Sequence, residues 1–582
     1  MAVLFSLRNG LCFFLIFLAS ISLNCGPANA QSQVFQRWVA RVDVVHGPDQ
    51  VAALTADNQQ NVLVVGSDCV VVSTQDPTLC ETTELLVEKY DINGNRLWGA
   101  SLKDVVNAVG EVVTTDAAGN VYVAGLGEYQ TQVGTGCNGL FRFTTVKYSS
   151  TGQRQWIAYF NIGNNCDGIG GIGVDAEGNS YISGSTGDDH VGPDVTIKYD
   201  PNGKQLWAAS LNIVQTHFVS GLALDKSANV YITGTSGDNG AFTFDAYTAK
   251  YDTNGNLLWK DVFLPTNPAG TGTLSANSAI VLDAGGNAYV AGDYHFLDQA
   301  LDPGISTAHV IKYGPSGNRV WVATHQTSGG VAGGGDFSSA IALDGEGDVL
   351  TAGRWVSGFS GDTTISDFST LKLNPVGVLR WQRRYTSSES ADSEAAGLGV
   401  NSNGDVYVTG KSTNTTGAGE DFTTLKYDTN GNQLWLARYD GPGHGDDTPA
   451  NLVLDGGDVI VAGTSVGSGT GQDWATVAYV QDAAQLTPAS LTFGSQTVAT
   501  TSAAQTLTVT NTAETILTIT DISASGDFSE TNNCPGALAP MDSCTIEVSF
   551  HPTAVGTRAG TITVSDNWAG SPRVAQLTGT GK

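Results

Sequence analysis

Gly221-Leu-Ala-Leu-Asp225 leads into Val230-Tyr-Ile-Thr-Gly234, and after a second apolar run comes Tyr251-Asp-Thr-Asn-Gly-Asn-Leu-Leu-Trp259. The first two segments are short, rich in β-branched and aromatic residues, and separated by an acidic turn, which is the signature of paired strands. In the third, Asn-Gly supplies the positive φ angles of a tight hairpin ahead of the tryptophan. Read together, they make four antiparallel strands.

The same unit recurs along the chain. Its second strand appears as Val62-Leu-Val-Val-Gly66, Val121-Tyr-Val-Ala-Gly125, Ser180-Tyr-Ile-Ser-Gly184, Val230-Tyr-Ile-Thr-Gly234, Ala288-Tyr-Val-Ala-Gly292, Val349-Leu-Thr-Ala-Gly353, Val406-Tyr-Val-Thr-Gly410 and Val459-Ile-Val-Ala-Gly463. Tryptophans close most units, at Trp98, Trp156, Trp207, Trp259, Trp321, Trp381 and Trp435, and the variable spacing between them is absorbed by loops. A lone four-stranded sheet cannot bury both faces, so such units must stack, and a ring leaves only short edges. The reading is therefore an all-β chain with an eight-bladed β-propeller over 31–481, seven blades being the alternative. Trp38 lies in a last-strand pattern that precedes the first unit, and the eighth unit ends at Tyr479 without a tryptophan, so the N-terminal strand is predicted to complete the final blade.

From about Gln485 the texture changes to short Thr/Val-rich strands, including Leu507-Thr-Val-Thr-Asn511 and Cys544-Thr-Ile-Glu-Val-Ser-Phe550. Residues 482–582 are predicted to form an immunoglobulin-like β-sandwich. Two family resemblances accompany these readings. The repeat, with Glu420-Asp-Phe-Thr-Thr-Leu-Lys-Tyr-Asp428 and Asn430-Gly-Asn-Gln-Leu-Trp435, resembles the bacterial SBBP-type propeller repeats, which implies a fold and little about activity. The sixth unit departs from the pattern at Leu350, Leu373 and Pro375 and is expected to be irregular. The C-terminal segment, with Leu491-Thr-Phe-Gly494, Phe550-His-Pro552 and Leu577-Thr-Gly-Thr-Gly581, resembles ASH/MSP-like domains of the choice-of-anchor D type. That resemblance implies a surface protein, though no sortase-type motif or hydrophobic tail follows.

At the other end, Arg8, the apolar run Leu11 to Leu23 and Ala28-Asn29-Ala30 read as a signal peptide over 1–30, with a lipoprotein at Cys25 as the alternative. No later stretch is long enough to span a membrane as a helix. Export to an oxidising compartment leaves Cys69, Cys80, Cys137, Cys166, Cys534 and Cys544, and proximity suggests three disulfides in that order, without CxxC spacing for zinc. A formal charge of -29 with only 27 Lys+Arg excludes a nucleic-acid partner and disfavours anionic lipid.

Candidate chemistry is sparse. Asp252-Thr-Asn-Gly255 and its echoes at Asp91, Asp200 and Asp428 resemble the start of a calcium loop without the distal ligands, so a hairpin is the better reading and calcium is only an option. Lys198, Lys250 and Lys426 each follow an Asp by four or five residues, which suggests a repeated scaffold contact. His190, His217, His295, His309 and His325 show no zinc spacing. There is no G-x-S-x-G elbow, and Gly333-Gly-Gly335 opens no phosphate-binding helix. No catalytic, cofactor or metal residue is assigned. The expected function is an exported, monomeric, non-enzymatic binding or scaffold protein, secreted, periplasmic or at the cell surface, which recognises a carbohydrate or protein through propeller loops. Asp293-Tyr-His-Phe296 and Arg354-Trp355 are the candidate contact residues. The alternative is a propeller enzyme, quinoprotein-like or glycan-cleaving.

Overall fold

In the computed structural model, residues 34–582 are described apart from short stretches, of which 131–139, 164–167, 187–191, 212–215, 239–242, 266–272, 297–303, 328–333, 388–391 and 414–418 are the longest. The predicted signal peptide, Cys137, Cys166 and His190 lie outside the described residues. Every described element is a strand.

Seven four-stranded antiparallel units follow one another from Gln50 to Tyr439, each pairing its strands in chain order, and the strands of an eighth continue to Gln481. The fourth shows the plan: Thr216–Leu224 (inner), Val230–Asp238 (second), Thr243–Tyr251 (third) and Leu257–Phe263 (outer). Eight inner strands touch one another in an unbroken circuit, the last, Thr448–Asp455, meeting the first, Gln50–Ala56. They approach closely: a Cβ on Gly171 would fall 2.5 Å from the Leu222 side chain and 2.7 Å from the Leu222 backbone nitrogen. The second strands carry the core, and Val230, Tyr231 and Ile232 are all fully buried.

The eighth unit is built from both ends of the chain. Its inner, second and third strands are Thr448–Asp455, Asp458–Gly467 and Gly471–Gln481, while Val34–Val42 supplies the outer strand, antiparallel to the third with Trp38 opposite Ala478. This is the closure predicted from Trp38 and Tyr479.

Two turns recur on one face of the ring. In the acidic turn, Asp225 Oδ1 accepts the Ser227 and Asn229 N–H groups. In the hairpin, Asp252 Oδ1 accepts the Asn254 and Asn256 N–H groups and Gly255 takes a φ of +82°. The Asp252 carboxylate is thus occupied by its own turn, as a hairpin requires.

The sixth unit is regular, against expectation. Gly335–Leu343, Val349–Ser360, Thr363–Leu373 and Leu379–Tyr385 pair in the common order. Leu373 fills the tyrosine's buried place and Pro375 offers the same carbonyl as its counterparts, because that contact uses backbone rather than side chain.

The C-terminal domain packs two sheets. One orders Ala484–Thr487, Gln505–Asn511, Ser543–Phe550 and Phe528–Asn532; the other orders Ser490–Gln496, Arg573–Gly581, Gly556–Asp566, Leu517–Ala524 and Ala537–Leu538. Phe493, Phe528 and Phe550 meet between them with Ile546, Val548 and Ile562. Disulfides join Cys69 to Cys80 and Cys534 to Cys544.

Candidate binding face

The tryptophans bind the units together. Trp38, Trp98, Trp156, Trp207, Trp259, Trp321 and Trp381 each donate Nε1–H to a hairpin carbonyl of the next unit, at 2.9–3.1 Å. Their rings lie so close over that hairpin's glycine that a Cβ there would stand under 3.0 Å from the indole, as at Gly317 beneath Trp259. Trp435 alone of the eight repeat tryptophans has no such hairpin to reach, since the eighth unit's third strand runs on into the C-terminal domain. It is buried, and its Nε1–H has no partner.

The repeat lysines complete the lock. Lys250 Nζ lies 3.2 Å from Asp225 Oδ2, 4.5 Å from the centre of the Tyr231 ring and 3.4 Å from the Pro315 carbonyl, the one Trp259 also uses. Lys89 pairs with Asp57, Lys198 with Asp175, Lys372 with Asp344 and Lys426 with Asp405. The partner is therefore the acidic turn of the same unit, not the Asp four or five residues upstream. Those upstream residues serve elsewhere: Asp194 accepts from Ser185 and Tyr247, and Asp421 from Arg438. Trp435 and Asp455 apart, the hairpins, acidic turns, lysines and tryptophans named here direct their polar groups into holding the ring, which leaves that face little to offer a ligand.

The opposite face collects the loops and a different set of charges. Asp293, Arg354 and Lys411 each follow the signature glycine of their second strand, in the fifth, sixth and seventh units. Asp293 is half-buried; burial raises its pKa to about 7, against a hydrogen bond from Ser306 and the attraction of Arg354. Arg354 pairs with Glu394 at 3.2 Å. Lys411 pairs with Glu420 at 3.0 Å and approaches Asp392 at 3.9 Å. Burial opposes the charge on Lys411, yet Glu420, Asp392 and Glu394 together raise its pKa above the ordinary lysine value. Further round, Glu111 accepts the Ile169 N–H and is pushed to about 7 by burial.

Of the predicted contact residues, Asp293 and Arg354 belong to this network and the neighbouring aromatics do not. Tyr294 packs against Phe263, Phe296 and His309, and Trp355 is buried under the Arg384 guanidinium, 3.9 Å from its ring centre. All lie in strands rather than loops. His309 is buried with Nε2 on Asn277, and burial drives its pKa down to about 3. His309 and His325 line a cavity of about 80 Å³ between the fifth and sixth units, room for a few waters. Sequence reading missed Lys411, Glu394 and Glu420; the recurrent position after the signature glycine is the signal that locates the first of them.

Residues 482–574 match the ASH family, described as Abnormal spindle-like microcephaly-assoc'd, ASPM-SPD-2-Hydin. Among solved structures, the human CEP192 ASH/PapD-like domain 7 is 16% identical, covering 17% of this chain and 85% of its own, with a TM-score of 0.15. The β-propeller domain of the Trilobed protease from Pyrococcus furiosus is 7% identical, covering 68% of this chain and 97% of its own, with a TM-score of 0.35. Along the sequence, an uncharacterized WD repeat-containing protein, L264, of Acanthamoeba polyphaga mimivirus is 24% identical over 449 residues, 64% of this chain. The chain spans only 30% of that protein's length. No helix among the described residues is long and apolar enough to cross a membrane.

Proposed function

We propose that this is an exported binding protein without catalytic activity, an SBBP-type propeller whose loop face recognises a protein or carbohydrate outside the cell, with the ASH-type sandwich as a second interaction module. One observation carries the reading: acids and bases of both signs stand on adjacent strands of the loop face while the opposite face spends its polar groups on the ring. Charges fixed by strands give orientation and specificity to a partner that docks across several units. The chain's excess of acids favours partners with basic groups and makes association salt-dependent.

The enzyme reading rests on Asp293 and Glu111, whose pKa values near 7 suit proton transfer. Both readings meet one experiment, in which the purified chain is incubated with a panel of surface proteins and envelope polysaccharides and both retention and cleaved product are measured. Saturable retention, weakened about 10-fold by Arg354→Ala and by Lys411→Ala, is expected. Release of product, abolished by Asp293→Asn, would replace binding with catalysis.

A further inference from the structure

The loop Asp440-Gly-Pro-Gly-His-Gly-Asp-Asp447 joins the outer strand of the seventh unit, Gln433–Tyr439, to the inner strand of the eighth. It brings Asp440 and Asp447 to Asp421, near the start of the seventh unit's third strand, and one carboxylate oxygen from each lies within 4.8 Å of the others. Asp447 is held in place by two backbone donors, Gly441 N–H on Oδ2 and Val466 N–H on Oδ1. Asp421 is only 1% exposed; Arg438 approaches its Oδ2 at 3.3 Å, and its Oδ1 has no hydrogen-bond partner. A buried carboxylate oxygen without a partner is costly, which favours a cation beside it. Asp440 is exposed, which opens the cluster to solvent.

The arrangement repeats at the next seam. Asp43, Asp49 and Asp473 also place oxygens within 4.8 Å of one another. Asp473 occupies the place of Asp421 in its unit, receives Arg41 and Thr470 on Oδ2, and again keeps a buried Oδ1 without a partner. Asp49 stands where Asp447 does, its N–H donating to the Gln472 carbonyl as that of Asp447 donates to Glu420. An acidic cluster thus stands at each end of the unit that closes the ring, each with a buried carboxylate oxygen that has no hydrogen-bond partner.

We infer that these two clusters are Ca2+ sites, one on each side of the closing unit. Clustered carboxylates make an all-oxygen, irregular donor set, which suits a hard cation of flexible geometry better than Mg2+, with its demand for a regular octahedron, or zinc, with its preference for nitrogen and sulfur. The second site includes Asp43, the residue after Val42, so calcium there fastens the end of the N-terminal strand. None of this depends on what the loop face binds.

The test is calorimetric titration of the EDTA-treated chain with CaCl2, together with thermal unfolding. Two Ca2+ per chain are expected, with a rise in midpoint of roughly 1–3 °C at millimolar Ca2+ that EDTA reverses. Asp440→Asn, at an exposed side chain, should fold with an unchanged near-UV spectrum and bind one Ca2+ fewer. Absence of binding at millimolar Ca2+, an equal response to Mg2+, or full stoichiometry in the Asp440→Asn variant would overturn the assignment.

Discussion

Asp455 shows what the repeat lysine does, because the eighth unit lacks it. The position that pairs lysine with the acidic turn in other units is Ala478 here, and Asp455 is buried beside Asp458 without that partner. Burial first, then Asp458 and Asp57, raise its pKa to about 6, with Arg37 opposing. The folded protein therefore holds this proton more tightly than the unfolded chain does. Its contribution to stability is full below the ordinary carboxylate range and is lost as pH rises through about 6. Asp455→Asn should leave the urea midpoint near pH 4 unchanged and raise it near pH 7.5; a midpoint shifted equally at both would mean the side chain acts by packing alone. The repeat lysines were visible in the sequence as a scaffold contact, but their partners were not. Sequence proximity points to an Asp a few residues upstream, whereas antiparallel pairing turns that residue toward the loop face and brings the acidic turn of another strand to the ammonium.

At the scale of the element, the third and outer strands share one device. In the seven units whose third and outer strands are joined by a hairpin, the register shifts between the Lys position and the residue after it. Across the shift Lys250 stands directly opposite Trp259 and Tyr251 opposite Leu257. The tryptophan then reaches the next unit. Trp207→Phe keeps most of the apolar surface but loses the hydrogen bond to Thr253, leaving that carbonyl with Lys198 alone. A loss of about 1–2 kcal/mol in denaturant stability is expected. These strands were readable because their alternation and turn residues are local. The regularity of the sixth unit was not, since Leu373 and Pro375 look like defects until the buried place and the backbone carbonyl they supply are seen.

For the whole molecule, closure depends on nine residues, Val34–Val42. Two arginines secure them: Arg37 pairs with Asp458, and Arg41 reaches Asp473, Tyr439 and Ser465. Without the strand, Gly471–Gln481 becomes an exposed edge, Asp458 and Asp473 lose their cations, and the hairpin at Gly94 loses Trp38. A chain beginning at Gly47 should be cleaved early within 448–481 under limited proteolysis and should elute as aggregate, where the intact chain resists and elutes as a single species. The ring and its closure were legible in the sequence because Trp38 and Tyr479 are the two ends of one interrupted pattern. The loop-face network was legible only at Asp293 and Arg354, because it is assembled from residues roughly sixty positions apart that spacing alone does not bring together.

The tryptophan with no carbonyl to reach gives the assembly a direction. Each unit is clasped by the one before it, so a chain emerging from its N-terminus can add units in the order they are made, each new hairpin arriving under an indole already in place. Trp435 marks where that order ends. The final act joins the first strand to the last of the ring, across 421 residues from Arg37 to Asp458. Until then the first unit's exposed flank and the eighth unit's bare edge both wait, and the interval between synthesis of Gln50 and docking of Val34–Val42 is when this chain most needs a chaperone.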